Sequence, residues 1–154
     1  PEWSGVHEQP LINGCCMLIR RAVMEGVGVQ NDELFFGIDD VEYSYRACKG
    51  GWKNIVVRDA LIFHSASKSV VPRSGLQVYY LFRNVLYFRY REFSWFQNLP
   101  FAIVFVARYV LAAGLYRCIQ GRHNVNAGVA LAIRDFFVGK MGECTHPILV
   151  NRSR

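Results

Sequence analysis

The sequence predicts an α/β front portion followed by a mainly helical back portion. Two short β-branched runs, Asn54–Arg58 and Ala60–His64, precede residue 65. Three long apolar patterns of helical length follow residue 75. Charge divides at the same place: residues 1–60 carry six basic and nine acidic side chains, net −3, and residues 61–154 carry twelve and three, net +9. The 154 residues are 52% hydrophobic and 19% charged, which fits one domain or a large piece of one and excludes a disordered tail. Most of the eleven Phe, eight Tyr and three Trp lie in the basic portion.

The elements follow in order. Residues 1–13, with Pro1, Gly5, Pro10 and Asn13, read as loop. Cys15–Ile19 is a continuous apolar run between Gly14 and Arg20 and reads as a buried strand. Arg20–Val27 reads as a two-turn helix stopped at Gly28. Residues 28–38 form a connecting loop carrying Leu34, Phe35 and Phe36. Asp39–Lys49 is a longer helix: Asp39 is placed to cap it, with Glu42 at capping-box spacing, and Val41, Tyr45 and Cys48 form a stripe. Gly50 and Gly51 supply its stop. After the two β-branched runs, which turn near Asp59, residues 65–75 read as a small polar loop.

In the back portion Leu76–Arg91 is helical, aromatic and basic. Pro100 fits the first turn of a second helix running to about Gln120, and Asn124–Val138 forms a third. Phe101–Ile119 contains only Arg108 and Arg117, about 180° apart around a helix. No single polar face exists on it. A central Arg108 would cost on the order of 3 kcal/mol in a bilayer span. Packing on protein, lying at the interface and spanning remain the three readings.

Five cysteines without C-x-x-C spacing point to buried thiols in a reducing compartment. The chain opens at Pro1 without Met or a signal-peptide pattern, as expected of a piece whose beginning lies upstream. The densest acidic cluster is Asp39-Asp40-Val41-Glu42. Capping accounts for Asp39 and Glu42. Asp40 is not needed for a cap, and an ionised Asp facing a cleft can take a proton from a hydroxyl. His64 follows a strand and precedes Ser65-Ala66-Ser67; it is a structural histidine or a metal ligand. Gly14 is a turn residue or a point of close backbone approach.

These residues carry a resemblance. Asn13-Gly14-Cys15-Cys16-Met17-Leu18-Ile19-Arg20-Arg21 resembles the "G-x-x-x-hydrophobic-R-R" stretch of family 2 glycosyltransferases. Val27-Gly28, Asp32-Glu33-Leu34-Phe35-Phe36 and Asp39-Asp40-Val41-Glu42-Tyr43-Ser44-Tyr45-Arg46 resemble its "vG-x-f-D-e-x-f-F-x-x-x-E-D-v-D-x-x-x-R" segment. Gly50-Gly51-Trp52, Ile62-Phe63-His64-Ser65 with Ser69, and Tyr79-Tyr80-Leu81-Phe82-Arg83-Asn84 resemble its "a-G-y", "v-x-H-x-x-x-S" and "Y-Y-x-x-R-N" elements. The likeness covers residues 13–91 well and the last 60 loosely. The sequence departs from it by having Asp39 where Glu is usual and Glu42 where Asp is common.

The resemblance implies the C-terminal half of a GT-A fold, followed by a mainly helical, membrane-associated tail. Residues 1–75 would be the acceptor-side part of the catalytic domain and residues 76–154 the helical, basic and aromatic region. The family's nucleotide-binding half, with its Asp-x-Asp motif, is not found in these residues. It further implies inverting sugar transfer, of rhamnosyl type, from a nucleotide diphosphate sugar to a hydroxyl of a glycan or lipid-linked acceptor. Asp40 would be the general base with Asp39 beside it, Gly14 and Arg46 would lie on the acceptor side, and His64 would contact a divalent Mn or Mg ion. The expected location is the cytoplasmic face of the cell membrane. The competing reading is a non-enzymatic, membrane-associated helical module whose net +9 portion meets anionic lipid. Nucleic acid is not an expected partner, because the basic residues are spread through apolar helices rather than clustered in one polar stretch.

Overall fold

The computed structural model describes residues 5–64 and 74–150. The chain divides into two compact units. The first takes residues up to Asp32 and from Ile38 to Ala66; the second takes Glu33–Gly37 and the chain from Ser67 onward.

In the first unit, β1 (Val6–Glu8) pairs antiparallel with β2 (Ile55–Val57), with Val6 opposite Val57 and Glu8 opposite Ile55. The ladder continues at both ends, where Gln9 N–H donates to the Asn54 carbonyl and Arg58 N–H to the Gly5 carbonyl. β2 falls within the expected Asn54–Arg58 run. Neither Cys15–Ile19 nor Ala60–His64 forms a strand, because among the described residues neither has a ladder partner. Cys15–Ile19 instead begins in a turn, where the Asn13 side chain accepts from Cys15 N–H at 3.0 Å. Met17 and Ile19 pack inward while Leu18 is fully exposed. Residues 1–13 were expected to be loop throughout, yet they contain β1.

Helix α1 (Arg21–Val27) ends at Gly28, whose φ of 83° suits a residue without a side chain. Helix α2 (Asp39–Lys49) has the expected limits but a different start. Ile38, not Asp39, occupies the cap position, and it does so at φ 71° directly after Gly37, also at 71°. A left-handed β-branched residue is strained. Glu42 does not close a capping box: its carboxylate pairs with Arg46 one turn on. The expected stripe of Val41, Tyr45 and Cys48 is displaced as well. Tyr43 and Ala47 are the buried pair, packed on Val23 of α1 with Met17, Ile19, Val27 and Trp52 around them. Ser44 next to them is fully buried, its hydroxyl accepting from Ile12 N–H and its carbonyl from Asn54. A polar tether therefore took the place that the periodicity gave to apolar side chains.

The second unit is helical. Helix α3 (Gly75–Glu92) is capped by Ser74, whose hydroxyl accepts from Gln77 N–H. A single helical run then covers Trp95–Ile119. It consists of α4 (Trp95–Val104), a π-helical stretch (Phe105–Ala112) and α5 (Ala113–Ile119). It starts five residues before Pro100, because the Gln97 side chain accepts from both the Ser94 N–H and the Ser94 hydroxyl at 3.0 Å. Pro100 thus lies inside the helix. Helix α6 (His123–Phe137) and the short α7 (Pro147–Val150) complete the unit.

Helices α3 and α6 cross at two glycines. A Cβ on Gly128 would lie 2.2 Å from the Gly75 carbonyl oxygen, and one on Gly75 would lie 2.3 Å from that of Asn124. The core beside this crossing contains Leu76, Tyr79, Tyr80, Phe82, Phe105, Val129, Ala132, Cys144 and Leu149. Residues 33–37 belong with this unit because α3 holds them. The Asn84 amide donates to the carbonyls of Phe36 and Gly37, both at 3.0 Å, and Phe35 and Phe36 pack on Tyr80.

Candidate functional site

In the first unit, Asp40 lies in the first turn of α2, half-buried. One carboxylate oxygen accepts from Gly14 N–H at 2.7 Å and the other from Val41 N–H at 2.8 Å. Gly14 comes this close because it has no side chain: a Cβ there would lie 3.0 Å from the Asp40 Cβ. Two residues 26 apart in the chain, drawn from separate motif segments, therefore form one contact. A carboxylate has about four lone-pair sites. One backbone bond on each oxygen leaves sites free on both, on a carboxylate whose orientation is fixed. That arrangement can accept a hydroxyl hydrogen bond and then its proton.

Asp39 is half-buried, and its carboxylate has no side-chain partner among the described residues. Two acids thus stand side by side at a helix N-terminus, one fixed and one unengaged, directly after the strained Gly37–Ile38 pair. Arg46 is placed differently. Its guanidinium pairs with both oxygens of Glu42 at 2.9 and 3.1 Å and donates to the carbonyls of Val27 and Val29. With these donors engaged it braces the turn after α1 and offers no free guanidinium, so the expected acceptor-side role of Arg46 is not expressed as a direct donor here. His64 is exposed and follows residues 60–63, which form neither helix nor strand. Ser65 and Ser69, which share its motif, lie outside the described residues. Among the described residues no three His, Cys, Asp or Glu side chains converge on a point that would hold a metal. His64 supplies one imidazole, which by itself does not make a metal site.

The second unit contains a buried polar network that spacing did not single out as a whole. Arg83 and Asn84 are completely buried, and Asp135 nearly so. Arg83 donates to the Tyr79 hydroxyl at 2.9 Å, to the Gly142 carbonyl at 2.7 Å and to the Asn84 side-chain oxygen at 3.2 Å. The Tyr79 hydroxyl in turn donates to Asp135 at 2.8 Å, and the His146 ring meets the same Asp135 oxygen at 2.6 Å. Tyr80 accepts from Cys144 N–H at 2.8 Å. Burial pushes the Asp135 carboxyl up, but the hydrogen bonds from His146 and Tyr79 outweigh it and leave the group below its ordinary value. Burial, reinforced by the bond to Asp135, pushes the Tyr79 phenol up. Burial likewise raises the Cys144 thiol, which makes it a packing residue rather than a nucleophile.

The Tyr79–Asn84 motif is thus a structural hub: Asn84 and Tyr80 hold the 33–37 segment, and Arg83, Tyr79 and Tyr80 hold residues 140–146. Asp135 and His146 were not anticipated. The one available signal was an acid inside the otherwise apolar pattern of Asn124–Val138. Compared with family models, with curated proteins and with solved structures, the chain has no match.

Proposed function

We propose that these residues form the acceptor-side part of an inverting glycosyltransferase that works at the cytoplasmic face of a membrane. The observation that supports this most directly is the Gly14–Asp40 contact, which joins two of the segments resembling family 2 glycosyltransferases around a fixed carboxylate. In this reading a hydroxyl of the glycan or lipid-linked acceptor donates to a free lone pair of Asp40. As the hydroxyl oxygen attacks the anomeric carbon, its proton passes to Asp40. The new C–O bond forms on the face opposite the nucleotide diphosphate, which leaves with the electron pair of the bond that breaks. Backbone donors fix the base before substrate arrives, so little reorganisation is left for the reaction itself. Asp39, unengaged beside it, is proposed to hold a second acceptor hydroxyl. His64 is proposed as one ligand of a divalent ion whose other ligands lie elsewhere.

Membrane placement is supported by the Trp95–Ile119 helix. It is long and apolar enough to cross a membrane, and only 6% of its most apolar window is buried. The same feature would serve a non-enzymatic membrane module, but such a module has no use for a carboxylate fixed by Gly14.

The test is Asp40→Asn in the full-length protein, assayed for transfer from nucleotide sugars. Losing a general base lowers turnover about 10²–10⁴-fold; the amide of Asn accepts only one of the two backbone N–H bonds, so the melting temperature falls modestly as well and is measured alongside turnover. Normal turnover in Asp40→Asn with a dead Asp39→Asn moves the base to Asp39. Normal turnover in both ends the mechanism.

A further inference from the structure

We infer that the Trp95–Ile119 helix lies along an anionic bilayer surface with its outer row of side chains immersed, and does not cross the bilayer. This rests on the membrane placement proposed above and specifies its geometry. The contacts of the helix fall on one side, where Phe105 is buried and Asn98, Phe101, Val110, Gly114 and Arg117 are half-buried. Arg89 of α3 lies 4.3 Å over the Phe101 ring and donates to the Asn98 side chain. Phe82 packs against Phe105 and Tyr109. Asn126 of α6 joins Arg117 and the Gly114 carbonyl. A spanning helix would carry these partners into hydrocarbon, including Arg83, Arg89 and Arg91 of α3 and Arg134 and Asp135 of α6. Charged groups at that depth are strongly disfavoured.

The opposite side is apolar and uncovered. Leu99, Ile103, Leu111, Leu115 and Ile119 are all exposed, and Ala102, Ile103, Val106, Ala107 and Leu111 line one continuous face. The row Leu99, Ile103, Ala107, Leu111, Leu115, Ile119 advances in steps of four. Such a row drifts about 40° per step around an α-helix. The Phe105–Ala112 stretch holds more residues per turn and carries the row back, keeping it on one side. The helix by itself lacks a polar face; α3 and α6 beneath it provide one.

The rim suits a surface of anionic lipid. Trp95 and Phe96 stack at one end and Tyr116 stands near the other, all exposed, at the depth where aromatic rings meet headgroups. Arg108 is exposed and leans toward Tyr109, its guanidinium 6.0 Å from that ring, so it sits to the side of the outer row. Its long stem can lie along the apolar surface while its charge stays among phosphates. The net +9 of residues 61–154 favours a negative surface over a neutral one.

The experiment is flotation of the protein with vesicles of phosphatidylcholine, alone and mixed with phosphatidylglycerol, followed by depth measurement with brominated lipids. For depth, Leu99→Trp, Ala107→Trp and Ile119→Trp are made singly in a background with Trp3, Trp52 and Trp95 replaced by Phe. The expected result is binding that needs the anionic lipid and weakens with salt, with all three tryptophans at one shallow depth, about 5–10 Å below the headgroup boundary. Ile103→Glu with Leu111→Glu should weaken binding about tenfold or more, because both charges enter the immersed row. Leu61→Glu, at a still more exposed leucine elsewhere, should not. Binding with the tryptophan at 107 deepest and those at 99 and 119 shallow would overturn the in-plane seat while membrane placement stands. Failure to bind either vesicle would overturn both. A solution dimer that Leu111→Glu dissociates, with no vesicle binding, would assign the face to a second copy. Sugar transfer is not read in this assay, so none of these outcomes bears on Asp40.

Discussion

Replacing Gly128 by alanine puts a methyl group 2.2 Å from the Gly75 carbonyl oxygen. Ordinary contact begins at 3.4 Å, so the two helices must part by about 1.2 Å at their closest point. The obstructing atom is backbone, and Gly75 is itself wedged against the Asn124 carbonyl, so neither side has a flexible group that can give way. Overpacking of this kind costs about 1–3 kcal/mol, and a backbone obstruction belongs at the upper end. Alanine recovers about 1 kcal/mol of helix propensity, leaving a net loss of about 2 kcal/mol. At roughly 2–4 °C per kcal/mol for a chain of this size, the melting temperature falls about 4–8 °C. Gly114→Ala is the matched control. The new Cβ would meet nothing nearer than the Arg117 guanidinium at 3.9 Å, so propensity acts alone and the melting temperature rises by about 1–4 °C. Far-UV circular dichroism melts of the three proteins decide the matter. Gly128→Ala melting at or above the wild type, or Gly114→Ala falling as far as Gly128→Ala, would refute the close crossing.

Three further outcomes follow from the geometry. The folded-state value of Asp135 lies below the ordinary 3.8, so its stabilisation is present above that value and disappears as pH falls through the lower folded one; Asp135→Asn should flatten this acid limb in urea melts taken at decreasing pH. Asn84→Ala strands the carbonyls of Phe36 and Gly37 and one Arg83 donor, at about 1–3 kcal/mol per buried group, and hydrogen exchange should accelerate first across residues 33–38. On the transferase reading proposed above, which places the donor-binding Asp-x-Asp outside these residues, the 154-residue chain alone should turn over no nucleotide sugar in a coupled diphosphate-release assay.

Long periodic segments were legible in the sequence because their signals are local. The limits of α2 were read directly, and those of α3 and α6 to within a residue, from apolar spacing and flanking stops. The start of the 95–119 helix was misplaced because Pro100 drew more weight than the Ser94–Gln97 pair. Strands were the hard part. Cys15–Ile19 and Ala60–His64 have strand composition, but a strand exists only where another strand accepts its hydrogen bonds, and that is not written locally. β1 was missed for the same reason: its partner lies about fifty residues away. At the candidate site, Asp40 stood out because the cap did not require it, and Gly14 as a turn. That the two touch came from tertiary structure. The Tyr79–Asp135–His146 chain was invisible, since its members are 56 and 11 residues apart and each is unremarkable alone.

The two-stranded ladder has a consequence for handling the protein. Among the described residues β1 and β2 each have a strand partner on one side only, so both are edge strands. Val6, Ile55 and Val57 are exposed along it, an apolar edge whose three-residue length limits how far another chain can add to it. Charge at its ends opposes that: Glu8 and Lys53 pair at 2.8 Å at one end, and Arg58 stands at the other. Purification at low ionic strength, where the net +6 charge of the chain repels neighbouring molecules most strongly, should keep the protein dispersed, and neutralising Lys53, which lowers that net charge, should lower the concentration at which it precipitates.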